Sequence, residues 1–221
     1  MLSDCTSGFS VINSRGVKGI TTAAHCPDSI LYNGTYLPFQ DKAYGGPYDF
    51  QWHTAPGFNV RNLAYDGTNN RYIFSTKHRI NQAVGEWACK YGAVTGYTCG
   101  YIIDKNFNPG GDMNSTLIRV HRDGYNLSAL KDSGGPWFSL NTAYGLHVGG
   151  IGFDAYYMAI NYIDVLGLSV LTNTAFLPVI LKGQTPSQKI GSLEFVNPYP
   201  SPKDEGISRK SPSTPELNPY P

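Results

Sequence analysis

The stretch Lys131-Asp132-Ser133-Gly134-Gly135-Pro136-Trp137-Phe138 sets a serine between a carboxylate and two glycines, the composition of a tight, exposed turn. A serine hydroxyl attacks a carbonyl only when a base takes its proton and an acid orients that base. Two earlier stretches offer these groups. Thr21-Thr22-Ala23-Ala24-His25-Cys26 ends an apolar, β-prone run on a histidine, and Pro47-Tyr48-Asp49-Phe50-Gln51-Trp52 sets a lone acid among aromatics. The order His25, Asp49, Ser133 leaves gaps long enough for several strands. The chemistry open to these three is acyl transfer, with Ser133 attacking, His25 moving the proton and Asp49 holding the ring.

The elements that must position them read as strands. Residues 3–26 alternate and turn at Ser14-Arg15-Gly16, a hairpin that delivers His25 to a strand end. From Pro27 to Pro56, short β-prone pieces are separated by Asn33-Gly34, Gly45-Gly46-Pro47 and Pro56-Gly57, the spacing of an all-β barrel. Asp49, among Tyr48, Phe50 and Trp52, needs a donor partner if buried, and His25 is the natural one. Residues 58–82 carry no assignable chemistry and are expected to hold the last strands of the first barrel and the crossing to the second. Ser115 to His121 alternates as a strand. Residues 155–171 begin as a strand and end as a C-terminal helix with Ile160, Ile163, Leu166 and Val170 on one face. His53, His78 and His121 are expected to be surface or hydrogen-bonded side chains.

TAAHC, the Asp-aromatic pair and DSGGP, in that order, resemble the three catalytic blocks of the chymotrypsin-like serine proteases. The section Cys89-Lys90-Tyr91-Gly92-Ala93-Val94-Thr95-Gly96-Tyr97-Thr98-Cys99-Gly100 is similar to a block of the bacterial streptogrisin and α-lytic protease branch. The resemblance runs from about Cys5 to about Val165. It implies two antiparallel six-stranded β-barrels with a C-terminal helix and the active site between the barrels. Residues 1–80 would form the first barrel, with His25 and Asp49, and residues 81–182 the second, with Ser133 and the helix. It implies a secreted serine endopeptidase acting on protein or peptide substrates as a monomer, without cofactor or metal.

Four cysteines allow three pairings, and none has the spacing of a zinc site. The resemblance selects Cys5–Cys26 and Cys89–Cys99. It also places Lys90 where the branch has an arginine that pairs with the acid before the nucleophile, here Asp132, and assigns the oxyanion to the backbone N–H groups of Lys131 and Ser133. Activation by insertion of an Ile-Val-Gly-Gly terminus is not expected. Three positions depart from the family pattern. Lys131 stands for a glycine whose conformation is costly for a residue with a Cβ. Ala129 replaces a cysteine, and Val148 replaces a serine that supports the acid. A peptide-binding pseudoprotease is the competing class, and an intact Ser133, His25 and Asp49 argues against it.

Tyr144-Gly145-Leu146-His147-Val148-Gly149-Gly150 is the expected cleft-lining strand, with Gly149 and Gly150 leaving room for an added peptide strand. His147 within this segment resembles the histidine of glutamyl endopeptidases and picornavirus cysteine proteases that helps recognise Glu or Gln. An imidazole at a pocket base can donate to a carbonyl or carboxylate. Acidic or amide recognition, an apolar P1 preference and a purely structural His147 all stay open on the sequence.

Charged residues make up 15% of the 221 and the net charge is +1, which points away from nucleic acid and anionic membranes as partners. The best apolar run, Ala155 to Leu171, is broken by Asn161 and Asp164, so no membrane span is expected. The start carries no charged segment followed by an apolar one, so Met1 is expected to open a shortened chain whose precursor held a signal and, by the resemblance, a pro-segment. Asn33, Asn114 and Asn126 begin glycosylation sequons, which only permit a eukaryotic secretory origin. Eight of the 15 prolines fall in residues 186–221, and Asn-Pro-Tyr-Pro occurs at 197–200 and 218–221. Residues 183–221 thus read as an extended, proline-rich tail or linker, with a docking element as the alternative.

Overall fold

The structure is a computed structural model that describes residues 4–172. The proline-rich segment 183–221 lies outside the described residues. In the first half, β1 (Ser10–Asn13), β2 (Lys18–Thr22), β3 (Ile30–Tyr32), β4 (Thr35–Leu37), β5 (Phe39–Gly45) and β6 (Tyr48–Thr54) follow one another. Then come β7 (Leu63–Tyr65), β8 (Asn70–Tyr72) and β9 (Ser75–Thr76). The second half holds β10 (Trp87–Gly92), β11 (Gly96–Phe107), β12 (Leu117–His121), β13 (Pro136–Ser139), β14 (Thr142–Ile151), β15 (Asp154–Ala159) and β16 (Leu168–Val170).

The expected double-barrel architecture takes the form of one closed barrel and one open half-barrel. The strands β13-β10-β11-β12-β15-β14 close through a β13–β14 pairing, giving six antiparallel strands. The other sheet has five strands in the order β16-β1-β2-β6-β5. Closure of the second half buries Ala88, Ile102, Val120, Trp137 and Tyr157 inside it. A second cluster joins Phe9, Val11, Phe50 and Trp52 of the half-barrel to Phe138, Leu146 and Met158 of the barrel.

Two expectations are revised. Residues 58–82 do not supply the last strands of the first sheet: β7 and β8 pair only with each other among the described residues, and β9 adds in parallel to β14. The helix is a 3-10 helix over Ile160–Leu166, ended by Gly167 at φ 67°, and the chain then enters β16. Ile160, Ile163 and Val170 are buried in one cluster with Leu166 against it, because β16 pairs with β1 (Val11 opposite Val170) and folds back over the core. The half-barrel therefore takes a strand from beyond the closed barrel.

Strand β6 shows how this fold positions chemistry. Its sequence alternates Tyr48, Phe50, Trp52 with Asp49, Gln51, His53, and successive side chains point to opposite faces. The aromatic face enters or packs on the core, while the polar face is buried against the loops that follow β2 and β4. There it must be fully bonded. Gln51 Nε2 donates to the carbonyls of Ala23 and Cys26 at 2.9 Å each. His53 is bonded to the Leu37 carbonyl and to Gln51 Oε1, both at 3.0 Å.

Candidate active site

His25 lies just past β2, on the turn Ala23–Cys26 that Gln51 holds from below. Its Nδ1 is 2.7 Å from Asp49 Oδ2, its backbone N–H donates to Asp49 Oδ1 at 3.1 Å, and its Nε2 is 2.8 Å from Ser133 Oγ. Asp49 is buried and His25 is open to solvent on its outer edge. An acid-oriented imidazole whose other nitrogen meets a hydroxyl is the arrangement a serine nucleophile requires.

Ser133 is presented by a turn fixed from three sides. Gly134 N–H donates to His147 O at 2.7 Å, and His147 N–H returns a bond to Gly135 O at 2.8 Å. Gly134 adopts φ 84°, and a Cβ there would come 2.2 Å from Thr22 Oγ1 and 2.6 Å from the Ala23 nitrogen. Glycine is required on both counts. From the third side, Thr6 N–H donates to Ser133 O at 2.9 Å while Thr6 Oγ1 donates to Lys131 O at 2.7 Å. Lys131 holds φ 77°, the left-handed conformation a glycine would adopt at lower cost. Among the described residues, the N–H groups of Lys131 and Ser133 have no acceptor.

Asp132 points the other way, into the protein. Lys90 Nζ is 2.9 Å from its Oδ2, and both side chains are fully buried. Its carboxylate also accepts from Val94 N at 2.9 Å, Thr95 N at 3.2 Å, Ala129 N at 3.1 Å and the Thr95 hydroxyl. Gly92 makes room for it: a Cβ there would sit 2.3 Å from the carboxylate. The charge is thus paired and its lone pairs are filled, which burial of an ion demands.

His147, on β14, is buried behind Ser133. Its Nε2 is 2.8 Å from Ser128 Oγ, and Trp137 Nε1 donates to its Nδ1 at 3.2 Å. Gly149 and Gly150 are half-exposed further along the strand. β13 accompanies β14 only as far as Leu146, so Gly149 and Gly150 pair with β15 alone and, with Val148, leave their other edge unpaired among the described residues. The disulfides are Cys5–Cys26, beside the His25 turn, and Cys89–Cys99, across β10 and β11.

No family model matches the chain. Among solved structures, Cellulomonas bogoriensis chymotrypsin is 26% identical, with a TM-score of 0.63 over 77% of this chain and 92% of its own. Thermobifida fusca protease A is 25% identical, with a TM-score of 0.64 over 76% and 91%. The chain is thus similar in fold and sequence to the chymotrypsin-like serine proteases of the bacterial branch. A glutamic-acid-specific serine protease, described as using a histidine triad in substrate binding, has the same fold: 21% identity, TM-score 0.66, 76% and 96% covered.

The electrostatics of the site follow from these contacts. The Asp49 hydrogen bond raises the His25 pKa above the ordinary histidine value, against the opposing effect of burial. Burial lowers that of Lys90 despite its partner. Asp132 is held at about 2, its desolvation outweighed by the Lys90 charge and the Thr95 and Val94 donors. Burial drives His147 well below the usual range, with the Lys90 charge acting in the same direction.

Sequence reasoning passed over four residues of this site. Gln51 was legible, being two positions from Asp49 on the same face of an alternating strand. Ser128 was read only as the end of a sequon. Thr6 and Thr95 gave no signal, because their partners are 125 and 37 positions away. His121, expected as a surface or hydrogen-bonded side chain, stands between Asp154 at 2.8 Å and Asp123 at 3.0 Å. Asp123, two residues along the chain, was the available clue.

Proposed function

We propose that this protease is a secreted serine endopeptidase in which Ser133, His25 and Asp49 carry the chemistry. The observation that carries the assignment is His25 held at 2.7 Å by Asp49 and at 2.8 Å by Ser133. Ser133 Oγ attacks the scissile carbonyl as His25 Nε2 takes its proton, and Asp49 stabilises the cation formed. The oxyanion accepts from the N–H groups of Lys131 and Ser133. His25 then gives its proton to the leaving amine, and water repeats the sequence on the acyl-enzyme. The division of labour assigns residues 1–80 the base and acid and residues 81–182 the nucleophile.

The unpaired edge of residues 148–150 supports a substrate strand laid antiparallel to β14, at the height of the nucleophile. The P1 side chain then points to the Ser128–His147 pair, whose polarity favours Glu or Gln over an apolar residue. Two disulfides support export to an oxidising compartment.

A fluorophosphonate probe tests the chemistry, with labelling expected for the native chain and absent in Ser133→Ala. No labelling of a folded, disulfide-intact sample would overturn it. A peptide-library digest tests the P1 reading, which fails if the cleaved bonds show no Glu or Gln enrichment.

A further inference from the structure

The bonding around His147 fixes more than its position. An indole N–H can only donate, so His147 Nδ1, 3.2 Å from Trp137 Nε1, must carry a lone pair. The ring proton is therefore on Nε2 and is donated to Ser128 Oγ at 2.8 Å. An imidazolium would set two N–H groups against each other in a fully buried place. Trp137 is itself fully buried and stacked on Tyr157 at 5.1 Å, whose hydroxyl donates to Gln82 at 2.6 Å.

Ser128 then accepts from the ring and keeps its own hydrogen and a second lone pair. Among the described residues that hydrogen has no acceptor. Ser128 borders the strand that carries this unpaired edge, since a Cβ on Gly150 would come 2.7 Å from Ser128 Cβ. Among the described residues, the charges that act on His147 are those of Lys90, Asp132 and His25. Lys90 is committed to Asp132 and Thr95, and His25 to Asp49 and Ser133. Lys131 Nζ is exposed and 3.7 Å from Asp4.

We infer that this site selects an uncharged amide side chain at P1, glutamine, over the carboxylate of glutamate. The Ser128 hydroxyl donates to the amide carbonyl, and its remaining lone pair accepts from the amide N–H. A carboxylate meets only the first of these and has to be desolvated without a cation. This rests on the P1 reading above and narrows it. Trp137 is a positioning residue here, acting on substrate only through His147 and Ser128.

The test is cleavage by the full chain of matched peptides with Gln, Glu or Leu at P1, between pH 6 and 8. The expected kcat/KM for Gln exceeds that for Glu by at least about tenfold, as for sites built to bond one polar group and not its analogue. Ser128→Ala brings Gln down to the level of Leu. Trp137→Phe removes the N–H and lets His147 take a proton, so the Gln to Glu ratio narrows, more at pH 6 than at pH 8. Nitrogen chemical shifts of His147 in the unaltered chain supply a readout independent of any variant: one neutral ring protonated at Nε2 across this range. Glu cleaved as well as Gln, or an imidazolium at pH 6, overturns the inference and leaves the P1 reading standing. Leu preferred to both overturns the two together.

Discussion

The hydroxyl of Thr6 donates to the carbonyl of Lys131 across 2.7 Å, and the same oxygen accepts from Ala93 N–H at 2.9 Å. Because the carbonyl and the N–H of a residue are linked through one φ and ψ, holding the Lys131 carbonyl also sets where its N–H can point. The neighbouring disulfide Cys5–Cys26 holds Thr6 in place. The N-terminal segment thus braces the turn proposed to hold the oxyanion.

Thr6→Val keeps the shape and removes both bonds. The expected loss is about 10- to 100-fold in kcat with little change in KM, up to the value of one oxyanion donor. Thr6→Ser restores most of it. Steady-state kinetics on both variants, with circular dichroism as the control on folding, check the claim. An equal loss from Ser and Val would show that the methyl packing, not the hydroxyl, matters.

Lys131 at φ 77° carries a conformational cost of about 1–2 kcal/mol, which Lys131→Gly removes while adding about 0.5–1 kcal/mol of unfolded-chain entropy. The expected net is a gain in stability of up to about 1 kcal/mol, with kcat/KM held or raised. Lys131→Val, β-branched at the same φ, should lose both stability and activity. Urea unfolding and peptide cleavage measure the two effects. A slower Gly variant would mean that lysine rigidity is itself needed in the turn.

The sequence makes the covalent neighbourhood of each functional group legible and leaves long-range bonding hidden. Asp49 could be placed in a strand and Ser133 on a turn because alternation and glycines act within a few residues. The alternation of β6 even forecasts that Gln51 shares the Asp49 face. The closed second barrel is implied by the family resemblance, yet the return of β16 to pair with β1 is not, since nothing local in Leu168–Val170 distinguishes it from the end of a helix. Likewise, a glycine at the Lys131 position would have been legible as an oxyanion turn. With a lysine there, the turn is held by Thr6, 125 positions away.

The Lys90–Asp132 pair is fully buried, so removing one partner strands the other. Lys90→Met should cost about 3–5 kcal/mol and take activity with it, because Asp132 adjoins Ser133. The sign of the pH dependence follows from the carboxylate. Its folded pKa, about 2, lies below the ordinary 3.8, so its stabilisation is present above about pH 4 and is lost as pH falls toward 2. Thermal unfolding from pH 5 to 2 should show this loss in the native chain, and a much flatter profile in a Lys90→Met/Asp132→Asn double variant. Full stability of Lys90→Met at neutral pH would rule out a structural role for the pair.

His25 gives activity and stability opposite slopes. Its pKa is raised above 6.5, chiefly by the Asp49 hydrogen bond. A protonated ring cannot take the Ser133 proton, so kcat/KM on a peptide with an uncharged P1 should rise with pH through an apparent pKa above 6.5. The same raised pKa makes the protonated ring the better partner of Asp49 in the folded state. That contribution to stability is therefore fully present below the unfolded value and is lost as pH rises through the folded one. Asp49→Asn removes the cause of the shift: the acid limb should move down, and the plateau should fall by about 10⁴, since the ring loses its orienting acceptor. A pH–rate profile of both proteins decides the matter. An acid limb unchanged in Asp49→Asn would show that some other group sets it.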